Sequence, residues 1–198
     1  MQKISLIFIL NLAVLFFSCK SRIENVQTKT IDSLLVALNN AEETLEKIEF
    51  EKLEESAKIA AQNLEKIKPL ILDTLNRDKV FLMSNYAIVG GEEEEEEMEI
   101  GGKAKGDDYE EVREKYIEKE LELCKKQLKN LKNDFSKGEM DEPTFKKYFE
   151  VEKDKSLQII SFIEMEKNSH AYRLALFDSL HPLILKFLDS LQTVSIKK

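Results

Sequence analysis

The sequence predicts an all-α fold: an elongated antiparallel helical bundle made of helical hairpins, interrupted by a disordered acidic linker. Three observations lead there. Charged residues make up 34 % of the chain while Gly (6), Pro (3) and Trp (0) are scarce, the composition of long helices and coiled coils. Apolar residues recur at steps of three and four through most of the chain, the spacing of one helix face. No run reads as a strand.

Residues 1–18 stand apart from this pattern. Lys3 is a small basic head, Ile4 to Phe17 is an almost unbroken apolar run, and Ser18 is a small residue at its end. That is the layout of a secretory signal peptide. The run is shorter than the roughly 20 apolar residues that a membrane-crossing helix needs. Cys19 comes directly after Ser18, which makes the segment resemble a bacterial lipoprotein signal with Cys19 as the lipidated residue. Phe16 and Phe17 depart from the usual box, in which Leu and a small residue occupy those places, and Ser18 conforms to it. The alternatives are an ordinary signal peptide that happens to contain Cys19 and an uncleaved anchor. Several acyl chains, each buried methylene contributing about 0.8 kcal/mol, would hold the protein on a membrane essentially permanently.

Residues 19–28 are polar and read as a tether. Behind them, 29–89 forms an N-terminal helical segment. Ile31, Leu34, Leu38, Ala41, Leu45 and Ile48 make a seam of coiled-coil type, with Thr30 as a candidate cap. The next apolar residue, Leu53, comes five positions on, and Ala57, Ala60, Leu64, Ile67 and Ile71 then resume the period. Either the helix breaks near Glu49–Glu51 and folds back, or it continues with a shifted face. Pro69 starts or kinks the next segment. Leu70, Ile71, Leu72, Leu75 and Val80 to Met83 are the most apolar part of the body, expected in the core as a short helix ending near Asn85. Ile88-Val89 reads as a scrap of extended chain.

Residues 90–108 form an acidic low-complexity linker bracketed by Gly90-Gly91 and Gly101-Gly102. Between 92 and 111 there are eleven acidic residues against Lys103 and Lys105, a net −9. The whole chain carries −8, and removing 1–18 takes away only the charge of Lys3, leaving −9. The acidity is therefore local, and the rest of the body is neutral. A self-repelling linker is one reading. The other is a weak contact for divalent cations or a basic partner through Glu92, Glu93, Glu94, Glu95, Glu96, Glu97 and Glu99. Calcium loops space their ligands between turn residues, and a run of Glu lacks that spacing. Such a charge balance excludes nucleic acid as a partner.

Residues 109–195 predict a C-terminal helical hairpin. Tyr109, Val112, Tyr116/Ile117, Leu121, Cys124, Leu128, Leu131 and Phe135 mark one helix, which Ser136-Lys137-Gly138 stops. Asp141 caps the return helix, with Glu142 and Pro143 in its first turn. Phe145, Tyr148, Phe149, Leu157, Ile160 and Ile163 continue into Tyr172, Leu174, Phe177, Ile184, Leu188 and Leu191, with a kink or restart expected at Pro182. Cys124 lies in the apolar series and reads as a buried core thiol, the alternative being a bond between chains.

Three features resemble uncharacterised helical, coiled-coil-like lipoproteins of the Bacteroidota. These are Cys19 behind the signal, the Arg77-Asp78-Lys79-Val80-Phe81-Leu82 segment, and the hairpin from Leu121 through Lys147-Tyr148-Phe149-Glu150. The resemblance covers most of 19–195, the acidic insert departs from it, and it implies no activity. Cys19-Lys20-Ser21-Arg22 lacks the acidic pair of a surface-export tag, which points to an outer-membrane lipoprotein facing the periplasm.

Reaction chemistry is sparse. His170 and His181 are the only histidines; eleven residues set them about 16 Å apart along a helix axis, too far for one metal ion. Glu166 and His170, one turn apart, could share a metal, but a surface pair or a partly buried His is the plainer reading. Asp178-Ser179-Leu180-His181 puts its Ser and His on different sides of a helix. There is no phosphate loop, paired-cysteine knuckle or nucleophile elbow. No catalytic residue, metal site or cofactor is expected. The chain reads as a membrane-anchored structural or interaction module of the cell envelope whose partner is an envelope protein. The alternative is a periplasmic module for a small molecule or a divalent cation.

Overall fold

A computed structural model describes residues 28–70, 77–89 and 109–195. Among them are five helices and no strand, and the helices pack on one another, so the fold is all-α as the sequence predicts. Helix α1 covers residues 28–45. Helix α2 (Phe50–Ile67) runs into a 3-10 turn (Lys68–Leu70), and α3 (Arg77–Val89), α4 (Tyr109–Ser136) and α5 (Glu142–Ser195) come after it. The signal at 1–18, Cys19, the tether as far as residue 27, Ile71, Leu72, Leu75 and the acidic segment 90–108 lie outside the described residues.

The chain divides into two compact units, and each draws on both ends of the sequence. The first unit takes α1 as far as Glu43 together with Lys119–Ser161; the second takes Thr44–Glu118 together with the chain from Phe162 onward.

In the first unit the periodic seams become the core. Ile31, Leu38 and Ala41 of α1, Leu121, Cys124, Leu128 and Leu131 of α4, and Phe145 and Ile159 of α5 are all buried. The α4–α5 corner is fixed by its backbone. Gly138 takes a positive φ of 73°, Gly138 N–H donates to Phe135 O at 3.0 Å, and Glu139 N–H donates to Asp134 O at 2.9 Å. That is the Schellman arrangement, in which a left-handed residue just past the helix satisfies its last carbonyls. Thr144 N–H then donates to Asp141 Oδ1 at 2.9 Å, the N-cap bond that opens α5. The Phe135 and Phe145 rings, 4.3 Å apart, and Phe149 behind them close the corner.

The second unit is built around a cluster of Ala60 and Ile67 (α2), Tyr86 and Val89 (α3), and Ile184, Phe187 and Leu188 (α5). Leu64, Leu82, Met83, Phe177, Leu180 and Leu191 pack on its edge. Of the two alternatives for 49–51, the break is what the structure has: α1 ends at residue 45, and Ile48 N–H donates to Leu45 O at 3.0 Å. Phe50 opens α2, and Leu53 N–H bonds Glu49 O at 3.0 Å. The five-residue step is thus a change of helix, not a rotated seam.

Several details depart from the sequence-based expectation. Thr28 and Lys29 are already helical, so Thr30 sits inside α1 and does not cap it. Helix α3 runs past Asn85 to Val89, and Ile88-Val89 is helical, not extended. Its most apolar stretch is only partly in the core: Leu82 and Met83 pack inward, whereas Val80 is exposed and Phe81 is 70 % exposed. A helix apolar all round carries no face in its pattern, and here Tyr86 and Val89 set which side is buried. Tyr148, Leu157 and Tyr172 of α5 face outward, and Ser156 and Ile159 point in. Pro182 does not restart α5, which is helical through it. An internal proline costs about 3 kcal/mol. The residues just beyond it, Ile184, Phe187 and Leu188, are buried, and burial of such side chains stabilises by about 1.5–3 kcal/mol each, so continuation wins.

Candidate functional site

The sequence-predicted contacts, Cys19 and Glu92, Glu93, Glu94, Glu95, Glu96, Glu97 and Glu99, lie outside the described residues. Within them the polar chemistry concentrates in the second unit, along one line of α5: Glu166, His170, Arg173, Phe177 and His181. Steps of three and four bring these side chains to the face that also carries Ile163, Leu174 and Ile184.

Glu166 and His170 are brought together but not as a surface pair; they are 4 % and 3 % exposed. His170 Nδ1 lies 2.8 Å from the Glu166 carbonyl oxygen, so Nδ1 carries the proton and donates. The same nitrogen is 3.8 Å from Glu166 Oε2. Arg113 of α4 donates through Nη2 to Glu166 Oε1 and lies over the Phe162 ring, 5.5 Å from its centre. Phe50, the first residue of α2, meets His170 edge-on at 4.6 Å and 71°. A carboxylate in so dry a place needs a cation and hydrogen bonds to stay charged, and Arg113 provides the cation.

One to four turns further along α5 lies a second group. Tyr86 Oη is 2.7 Å from His181 Nδ1, and Asn63 Nδ2 donates to the same phenol oxygen at 3.4 Å. With its oxygen accepting from Asn63, the Tyr86 O–H can donate to His181 Nδ1 when the ring is the Nε2–H tautomer. Phe177 stacks on the His181 ring at 4.6 Å and 16°. Arg173 donates to the Val89 carbonyl at 3.2 Å, where α3 ends, and Lys79 sits 5.0 Å above the Phe187 ring. Burial pushes the Tyr86 phenol above its usual range, and the Asn63 hydrogen bond opposes that in part.

In the first unit Cys124 is buried, as its place in the apolar series predicts. Burial raises its thiol pKa, the Ser156 hydroxyl works against this, and the nearby Glu120 and Glu152 carboxylates add to the rise. A thiol held protonated is a poor nucleophile and a poor metal ligand. Among the described residues no group of three or more His, Cys, Asp or Glu is disposed to hold a metal ion. What these groups do chemically is join helices: Arg113 ties α4 to α5, while Asn63 and His181 tie α2 and α5 to α3.

Sequence reasoning singled out Glu166, His170 and His181 but not Phe50, Asn63, Tyr86 or Arg113. One signal for the former set was present: Glu166 and His170 interrupt an otherwise apolar stripe, which marks inward polar positions. Their partners come from three other helices and leave no trace in local spacing. No protein-family model, no curated protein and no solved structure matches the chain.

Proposed function

We propose that the protein is a helical lipoprotein of the Bacteroidota type, held on the outer membrane by lipid on Cys19 and facing the periplasm. Its body serves as a structural or protein-interaction module of the cell envelope. The observation that carries this reading is the placement of Cys19 immediately behind Lys3, the apolar run to Phe17 and Ser18. Among the described residues no helix is long and apolar enough to cross a membrane, and in this reading the membrane contact is the lipid. The all-α body and its helix-joining polar clusters are consistent with a scaffold whose partner is an envelope protein.

Metabolic labelling with a fatty-acid analogue in the native host tests the anchor. Label and protein should travel together in the membrane fraction, and Cys19→Ala should lose both. An unacylated amino terminus with the protein in the soluble fraction overturns the proposal. Crosslinking of the membrane-attached protein then identifies the partner. A cation-binding role would instead draw on Glu92–Glu97 and Glu99, and heat release with a change in ellipticity at millimolar calcium would favour it.

A further inference from the structure

Helix α3 is held by two fully buried side chains, Tyr86 and Val89, with Leu82 and Met83 at the edge of the cluster. Polar contacts add to that hold, and the central one joins Tyr86 to His181. That contact needs a particular protonation state. The phenol oxygen already accepts from Asn63, which leaves its hydrogen to donate to His181 Nδ1 when that nitrogen offers a lone pair. That arrangement takes the neutral Nε2–H tautomer of the ring.

We propose that Tyr86 and His181 form a pH-operated catch that holds α3 on α2 and α5 when His181 is neutral and releases it when His181 is protonated. His181 is only partly buried, so solvent delivers the proton. Histidine is the side chain whose charge changes between about pH 5 and pH 8. Once Nδ1 carries hydrogen, the oxygen of the fully buried Tyr86 faces two donors, and its own hydrogen loses the His181 acceptor. Among the described residues that make up the cluster there is no carboxylate. From α2 the packed residues are Ala60, Asn63, Leu64 and Ile67, none of them titratable. From α3 the titratable groups are Tyr86 itself and Lys79, a cation lying over Phe187. On α5 the cation Arg173 bonds the Val89 carbonyl, and Asp178, three residues before His181, is exposed. The neutral ring is the form that docked α3 accepts, so docking is strongest at the alkaline end of the range and weakens as pH falls. Release uncovers Ile184, Phe187 and Leu188. The device acts whether or not Cys19 carries lipid.

Amide hydrogen exchange on the intact protein, corrected for intrinsic rates, is the test. Protection across Arg77–Val89 should fall at least about tenfold between about pH 8 and about pH 5, the scale of one buried hydrogen bond left unmet. Protection across α2 should change less. Tyr86→Phe should show lowered protection of α3 with no pH step. His181→Gln offers an oxygen acceptor that does not titrate and should stay protected at both pH values. Circular dichroism confirms that each variant folds, and if Tyr86→Phe does not, His181→Gln decides. Equal protection of the unmodified protein at both pH values overturns the proposal, as does a pH step that survives in His181→Gln.

Discussion

The two compact units solve the same packing problem with different materials. In the first, the faces that meet are mostly Ile, Leu, Ala and Phe, with Cys124 and Ser156 among them; Lys125 is buried and reaches out to the exposed Glu42 at 2.6 Å, and Lys132 with Asp32 at 2.5 Å sits at the rim. In the second, α5 brings a buried carboxylate and a buried histidine to the face it packs, and the partner helices bring Arg113, Asn63 and Tyr86 to meet them. An apolar seam tolerates adjustment, because dispersion and burial are not directional. A buried polar cluster has to be complete, since each group left unmet costs its desolvation. The first unit should therefore yield gradually to substitution, the second abruptly.

The sharpest way to break that contrast is Glu166→Ala, which removes the buried carboxylate that Arg113 bonds. It should destabilise by about 3–5 kcal/mol in chemical denaturation, whereas a joint Glu166→Leu and Arg113→Met replacement should recover most of the loss. If the single substitution is mild, the second unit does not depend on its ion pair. Leu128→Ala in the first unit comes next. It should cost about 2–5 kcal/mol, and Leu128→Met, read by the same denaturation midpoint, should cost under about 1.5 kcal/mol.

Rim charges should matter least among the contacts. Lys132→Ala, measured the same way, should shift stability by no more than about 1 kcal/mol, because an exposed pair gains little in water. A larger change would mean that the first unit, too, rests on charge.

A small alkaline effect separates the units by titration. The Cys124 thiol and the Tyr86 phenol both have raised pKa values in the folded state, chiefly through burial. For an acid raised in this way the folded state prefers the protonated form, so its stabilisation is present at lower pH and is lost as pH climbs past the unfolded value. The first unit should begin to weaken above 9.0, the ordinary thiol value, and the second above 10.0, the ordinary phenol value. Thermal melts across that range should show the lower step vanish in Cys124→Val and the upper one in Tyr86→Phe.

Much of the first unit was legible in the residues themselves. The steps from Ile31 to Leu45 and from Ile117 to Phe135 predicted buried faces, and those positions are buried or nearly so. Ser136-Lys137-Gly138 and Asp141 predicted the corner, and the Gly138 conformation and the Thr144 bond are there. These signals are local: a period, a glycine past a helix end, a side chain three residues from the amide it caps. In the second unit the apolar steps were legible in the same way, as the buried Leu45, Leu53, Ala60, Ile67, Ile117, Ile163, Leu174, Ile184 and Leu188 show, but the wet side of α3 and the polar partners were not. Phe81 and Tyr86 lie on one short apolar helix, one outward and one inward, and spacing alone does not rank them. Glu166 and His170 interrupt an apolar stripe visibly enough, yet the groups that complete them sit 53 residues upstream at Arg113 and on α2 at Phe50.

What the sequence determined alone was the helical character of the chain, the corner between α4 and α5 that Gly138 and Asp141 cap, and most of the faces that a regular period marks as inward. The tertiary structure alone decided which helix supplies each polar partner, which side of α3 is wet, and that α5 passes through Pro182 unbroken. The reason is one of range. Backbone propensity, capping and period act over a few residues, while the matching of a buried charge or hydroxyl depends on whatever distant segment comes to lie beside it.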